Sequence, residues 1–211
     1  MRKTNRVIAL AALLVVAAAA VAAEPAKSWR GLMVDQQGRM YFYPCNEKVA
    51  LTPKDATREK DLVALFRKFS GPLEQPVFME LEGVPSGKSL RVTRLLRVNP
   101  ENQACRENLE GVVFKAFGNE PDWRMAMDGN ALRFQRLGDE APASFPYEAL
   151  RNEGGKLVFE ARTDSSDIRV ELTRERCTDT MLGALYPLKA SVASRGQSLK
   201  GCAYLGQGAN R

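Results

Sequence analysis

Turn-forming residues recur about every ten positions through the second half of this chain, and the segments between them alternate apolar and polar side chains. The turns fall at residues 128–130, 138–139, 152–155, 164–167 and 195–197. Alternation places the apolar side chains on one face of a strand, which an antiparallel sheet buries while its other face meets solvent. The predicted strands are 123–127, 131–136, 156–162, 168–173, 188–193 and 198–204. This half is therefore predicted to fold as an antiparallel β barrel or sandwich.

The first half combines strands with one helix. The predicted strands are 29–34, 39–45, 49–51, 77–81 and 90–98, of which the first two form a hairpin. Residues 55–69 are predicted to be a helix, because four apolar residues recur there at the i, i+3, i+4 and i+7 spacing. They are Leu62, Leu65, Phe66 and Phe69. Three strands, a helix and two strands are the order of a five-stranded OB barrel whose helix plugs one end, so the whole chain is predicted to be mainly β.

The N-terminal residues are typical of a secretory signal peptide. Arg2, Lys3 and Arg6 precede the uncharged, alanine-rich stretch 7–23, which ends in small residues. An uncleaved anchor helix is the alternative, but alanine is only weakly apolar and a spanning helix needs roughly 20 strongly apolar residues. Cleavage removes these three basic residues and lowers the net charge from +6 to +3. A nucleic-acid partner is therefore not expected.

The predicted divisions of the chain are a signal peptide 1–23, an OB-like domain 24–109, an antiparallel β domain 110–206 and a flexible tail 207–211. No cysteine precedes Cys45, so no residue near the cleavage site can accept a lipid. The mature protein is predicted to be periplasmic and to have no integral membrane anchor.

The chain has four cysteines, all after the predicted cleavage site, where an oxidising compartment favours disulfides. Three pairings are possible, and proximity in the sequence favours Cys45 with Cys105 and Cys177 with Cys202, one bridge within each barrel. A zinc site is the alternative, but no Cys-x-x-Cys spacing presents two sulfurs to a metal.

The absence of histidine excludes the commonest catalytic centres. Without imidazole there is no Ser-His-Asp triad, no Cys-His dyad and no His-ligated zinc. We therefore expect no enzymatic activity, no cofactor and no metal site.

Several motifs resemble known bacterial envelope proteins. Residues 41–45 (Tyr-Phe-Tyr-Pro-Cys), the helix after Thr52, residues 72–82 and residues 90–105 look like the OB-fold domain of the NlpE-type copper-resistance and envelope-stress lipoproteins. The resemblance covers about 80 residues and implies an OB fold. That group also has a lipidated N-terminus and a cysteine-rich domain, which this chain lacks, so copper handling and surface sensing do not carry over.

The second half resembles a bacterial envelope domain without an assigned reaction, which is marked by a Gly-Asn-Glu-Pro-Phe-Trp motif and a Cys-x-Asp-Gly-Met-Ser-Asp run before Tyr-Pro. The matching segments are 117–123, 177–181, 186–187 and 199–203. Asp122 stands where the family usually has Phe, and Thr180 and residues 182–183 also depart from the pattern. A site built from those positions is therefore altered here.

These motifs provide the candidate ligand-binding residues Asn119, Glu120, Trp123, Asp179 and Tyr186. The first two would present an amide and a carboxylate, with an aromatic wall beside them. The alternative is structural, because such a sequence is typical of a tight turn and a strand tryptophan most often fills a core. Glu120 with Asp179 is also conceivable as a glycosidase pair, but two such candidates among 25 acidic residues are expected by chance.

Two further patterns have a functional and a structural interpretation. Met125 and Met127 share one face of a strand and suggest a Cu(I) site, although alternate methionines usually belong to a core. Arg91, Arg94 and Arg97 form a basic edge that suits an anionic glycan, such as lipopolysaccharide or peptidoglycan, or is a solvated face.

The sequence thus favours a non-enzymatic, two-domain binding protein of the bacterial envelope, acting in envelope maintenance or stress sensing. Its expected partner is an envelope protein or a cell-wall component. The alternative is an inhibitor of a lysozyme or protease, since small disulfide-linked β barrels can present a rigid loop to an active-site cleft.

Overall fold

The computed structural model describes residues 25–208. The predicted signal peptide 1–23 and residues 209–211 of the predicted tail lie outside the described residues. Within the described part, no helix is both long enough and apolar enough to cross a membrane.

The first half forms a curled sheet with one helix, as predicted. Its elements are β1 (Lys27–Gln36), β2 (Arg39–Pro44), β3 (Thr52–Asp55), α1 (Leu62–Ser70), β4 (Val77–Ser86) and β5 (Ser89–Asn99). The strands run β2-β1-β4-β5 with antiparallel pairing, and β3 pairs in parallel with β5. A single bridge between Phe42 and Leu51 joins β2 to the chain before β3. The order and pairing are those of a five-stranded OB-like barrel.

The helix begins later than the sequence pattern predicts. Asp55 ends β3, and its carboxylate accepts hydrogen bonds from Thr57 and from the backbone N–H of Leu62 at 3.1 Å. The prediction of a helix from residue 55 and of a third strand at 49–51 was therefore wrong, because residues 52–55 extend along β5. The predicted apolar face is correct, since Leu62 and Phe66 are buried in the first core and Leu65 and Phe69 pack against it.

The second half forms a nine-stranded antiparallel sheet. Its strands are β6 (Val112–Asn119), β7 (Asp122–Asp128), β8 (Ala131–Arg136), β9 (Ala143–Pro146), β10 (Arg151–Glu153), β11 (Lys156–Arg162), β12 (Asp167–Thr173), β15 (Leu188–Ser194) and β16 (Gln197–Leu205). They run in the order β10-β11-β12-β15-β16-β6-β7-β8-β9. The sheet curls until β9 contacts β11 and encloses one large core. Met125 and Met127 lie in this core, as alternate strand methionines usually do.

A short hairpin of the second half belongs to the first sheet. Its strands are β13 (Cys177–Thr178) and β14 (Leu185–Tyr186), and Leu185 pairs with Val98 of β5. Leu185 also lies in the first core. The two halves are therefore joined through shared secondary structure as well as through the connecting chain.

The disulfides follow the pairing that the sequence favours. Cys45 is bonded to Cys105, and Cys177 is bonded to Cys202. The prediction of one bridge within each barrel was wrong for the second bridge, because Cys177 lies in a strand of the first sheet and Cys202 in β16 of the second. This disulfide thus joins the two sheets covalently.

Candidate functional site

A surface cleft of about 640 Å³ contains three of the five candidate ligand-binding residues. We call it the Asn119 cleft. One wall is the end of β6 with Asn119 and Glu120, another is the segment after β13 with Asp179, and the floor includes Gly118 and Gly201. Segments far apart in the sequence therefore meet in one concave surface.

Asn119 and Asp179 are in direct contact. The side-chain amide of Asn119 donates a hydrogen bond to Oδ1 of Asp179 and a second one to Oγ1 of Thr180, the latter at 3.1 Å. Asp179 is only 6% exposed, and the same carboxylate oxygen accepts the backbone N–H of Met181 at 3.0 Å. Oδ1 of Asp179 therefore accepts hydrogen bonds from two neighbouring segments, and these bonds fix the local chain conformation.

The segment that Asp179 fixes is a tight loop, residues 179–183, which we call the Asp179 loop. The backbone N–H of Asp179 donates to the carbonyl of Ala184 at 2.8 Å, and that of Gly183 donates to the carbonyl of Asp179 at 2.9 Å. Gly183 has a φ of +67°, a conformation that favours glycine. The loop carries two exposed apolar side chains at its tip, Met181 at 76% and Leu182 at 46%. Buried polar contacts thus hold an apolar tip in solvent.

Two unpaired charges lie along the Asn119 cleft. Glu120 and Lys200 are exposed, and within residues 25–208 neither side chain makes an ion pair or a hydrogen bond. Lys189 also lines the cleft, but its ammonium group pairs with Glu175 at 2.6 Å. The cleft therefore offers one carboxylate and one ammonium group to a ligand. The sequence did not single out Lys200 as a site residue, because alternation identifies the strand but not which of its polar side chains faces a cleft.

Trp123 lies behind the cleft, in the core of the second sheet. Its side chain is fully buried, and its indole N–H donates to the carbonyl of Lys200 at 3.3 Å. The ring fits against Gly118 and Gly201, where any Cβ atom would overlap it or the neighbouring backbone. Trp123 is therefore structural, which is the alternative that the sequence left open.

Tyr186 is also absent from the Asn119 cleft. It is 5% exposed, and its ring makes an edge contact with Phe117 at 4.9 Å between centroids and stacks on Tyr204 at 5.7 Å. These rings belong to a third apolar cluster, together with the Cys177–Cys202 disulfide, at the junction of the two sheets. Tyr186 thus helps to hold the sheets together.

A partly buried carboxylate, that of Glu107, organises this junction. Glu107 accepts hydrogen bonds from Arg97 at 2.9 Å, Lys115 at 2.8 Å and the Tyr204 hydroxyl at 2.6 Å, and Arg30 lies 3.8 Å away. We call these five residues the Glu107 cluster. Burial alone raises the pKa of Glu107, but the hydrogen bonds from Lys115, Tyr204 and Arg97 and the charge of Arg97 prevail and lower it to about 2. The cluster connects β1, β5, β6 and β16.

The prediction that Arg91, Arg94 and Arg97 form one solvated basic edge was wrong for Arg97. Arg91 and Arg94 are exposed, but Arg97 is 5% exposed and its guanidinium lies over three aromatic rings, the nearest being Tyr204 at 4.1 Å. Irregularities in the β4–β5 register place Arg97 opposite Glu80 and Arg94 opposite Glu82, on one face of the sheet. The second half covers the part of that face that contains Arg97, so only the remainder meets solvent.

Comparison with known protein families, with curated proteins and with solved structures finds no match for this chain. The resemblance to the NlpE-type OB domain and to the envelope-domain motif stays a prediction.

We predict that Asp179→Ala loosens the Asp179 loop. The change removes the acceptor of the Met181 N–H and one of the two acceptors of the Asn119 amide, at a cost of about 1–3 kcal/mol in the free energy of unfolding. Hydrogen exchange at Met181 should become markedly faster. Asp164→Ala, at an exposed turn residue without a hydrogen bond in the described part, is the matched control. Unchanged exchange at Met181 would contradict the assigned role of Asp179.

Proposed function

We propose that the protein is a non-enzymatic, periplasmic binding protein of the bacterial cell envelope, and that the Asp179 loop contacts its partner. Two disulfides are compatible with an extracytoplasmic protein, since such bonds persist in oxidising compartments. The NlpE-like pattern of the first half supports a role in envelope maintenance or stress sensing.

The observation that carries this proposal is the fixed, apolar tip of the Asp179 loop. A loop that is already ordered loses little conformational entropy on binding, so more of the contact energy remains as affinity. Methionine is enriched in protein interfaces, where a polar rim surrounds an apolar centre. Met181 and Leu182 would form that centre, with Glu120 and Lys200 beside it. An apolar tip favours a protein partner over a glycan.

Site-specific photo-crosslinking in the producing bacterium tests the proposal. Position 181 carries p-benzoylphenylalanine in the full-length chain, and position 137 serves as the control, because Leu137 is 83% exposed but lies in the turn after β8. We expect one dominant envelope-protein adduct from position 181 and none from position 137. The adduct should weaken when Asp179→Ala is added. Absence of an adduct, or the same adducts from both positions, would refute the proposal.

The second candidate function is inhibition of a lysozyme or protease. It is favoured by the same protruding loop, since Met181 is 76% exposed while its anchor Asp179 is buried. The purified, disulfide-bonded protein would be assayed against a panel of both enzyme classes, beside a variant with Met181→Asp and Leu182→Asp. Inhibition that the double substitution weakens at least about tenfold would support this function. No inhibition, or inhibition that the variant retains, would exclude it.

A further inference from the structure

A second cleft, of about 610 Å³, lies between the two sheets. We call it the intersheet cleft. The first sheet contributes residues of β4, β5 and β14, and the second contributes residues of β6, β11, β15 and β16. The segment before β10 and the segment after β12 complete the lining. Its volume is in the range of sites that enclose a small organic ligand. It does not include the Asp179 loop.

The intersheet cleft is lined by both apolar and charged side chains, and its apolar part is formed mainly by leucines. Leu96 contributes from β5, and Leu150, Leu157 and Leu205 contribute from the second half. The last three pack against the second core, yet all four remain partly exposed to the cleft. These leucines form an apolar slot within the cleft. Burying an alkyl chain in this slot would remove apolar surface from water, which is favourable.

Some of the charged side chains that line the cleft have an ion-pair partner and others do not. Arg94 pairs with Glu82 at 3.2 Å, and Arg176 pairs with Asp61 at 2.9 Å. Arg174 is exposed and makes no ion pair or hydrogen bond within residues 25–208. Glu80 is 4% exposed and accepts the Ser28 hydroxyl at 3.1 Å.

The lining residues therefore include three arginines and two glutamates, and the cation without a partner is Arg174. An unpaired guanidinium beside an apolar slot complements a ligand with an anionic head and an apolar tail.

We infer that the intersheet cleft binds an anionic amphiphile, with its alkyl chain between the leucines and its carboxylate or phosphate at Arg174. Such a head group occurs both on free fatty acids and on lysophospholipids. The inference is independent of the partner proposed for the Asp179 loop, because the two surfaces differ.

Titration calorimetry of the disulfide-bonded protein tests this site. The probes are laurate, lysophosphatidylglycerol and uncharged dodecyl maltoside, each below its micelle-forming concentration. We expect saturable binding of at least one anionic probe at one molecule per chain, and weaker binding of the uncharged probe. The anionic probe that binds more tightly distinguishes a fatty acid from a lipid as the source. No saturable binding of either anionic probe would overturn the inference.

Substitutions inside and outside the intersheet cleft test whether the probes bind there. Arg174→Glu should weaken anionic binding at least about tenfold, because a charged hydrogen bond is replaced by repulsion, and should leave the uncharged probe unaffected. Arg162→Glu makes the same charge change at an exposed position outside the cleft and should alter neither. Leu157→Trp, or Leu96→Trp if that variant does not fold, should fill the slot and abolish all binding. Leu137→Trp is the exposed control. Equal effects of cleft and control substitutions would refute the assignment.

Discussion

Replacing Glu107 by glutamine is expected to lower the free energy of unfolding by about 3 kcal/mol or more. Arg97 would keep its charge at 5% exposure but lose the carboxylate that compensates it, and Lys115 would lose its ion pair. Denaturant unfolding of the oxidised protein measures the change. Glu175→Gln is the control, because the Glu175–Lys189 pair is more than half exposed and such pairs contribute at most about 1 kcal/mol. Equal losses in the two variants would contradict a special role of the Glu107 cluster.

The lowered pKa of Glu107 also determines how the free energy of unfolding depends on pH. The pKa of Glu107 is about 2 in the folded protein, below the ordinary value of 4.5, so the folded state favours its ionised form. Its stabilising contribution is complete above about pH 4.5 and is lost as the pH falls toward 2. Other carboxyl groups with lowered pKa values, such as Asp128, are present in both Glu107→Gln and the parent, so their contributions cancel in the difference. The difference between the two proteins should therefore shrink on acidification, and a constant difference would contradict this.

The second large effect is expected at Gly201. A Cβ atom added there would overlap the carbonyl oxygen of Phe117 and would lie 2.8 Å from Cζ2 of Trp123. The carbonyl belongs to β6, which pairs with β16 at this point, so relief requires separating two strands. We expect Gly201→Ala to lower the free energy of unfolding by more than about 3 kcal/mol, at or above the upper end of the range for overpacked cores.

Gly129→Ala provides the matched comparison for Gly201→Ala. Gly129 lies in a turn, and an added Cβ atom would meet no heavy atom within 4 Å. The free energy of unfolding of Gly129→Ala, measured by thermal unfolding, should match that of the parent within about 0.5 kcal/mol. If Gly201→Ala were equally silent, the close approach of β16 to β6 would be refuted.

The strands of the second half that alternate regularly could be predicted from the sequence, and the others could not. Strand β6 was not predicted, because a register shift between Val112 and Phe114 interrupts its alternation. The hairpin strands β13 and β14 contain two residues each, which is too short for any periodicity. Periodicity reports which residues share a face of a strand, and it requires several residues to do so.

The candidate site was predicted only in part, for a related reason. The polar residues Asn119 and Asp179 do meet, although 60 positions separate them. Trp123 and Tyr186 are instead buried, and Arg97 lies under the second half of the chain. A sequence pattern indicates that side chains share a face, but it does not indicate which part of the molecule covers that face. The Glu107 cluster depends on such covering and had no signal in the sequence.

The hairpin formed by β13 and β14 has a consequence for the growing chain. Ribosomes make residues 27–99, which carry the first five strands, well before residues 177–186, which extend the same sheet beyond β5. Until the later segment arrives, Val98 lacks its neighbour in β14, and the guanidinium of Arg97 lacks the Tyr186 ring that it packs against. The N-terminal half is therefore completed by the C-terminal half, so the first sheet reaches its final form only when residues 177–186 are in place.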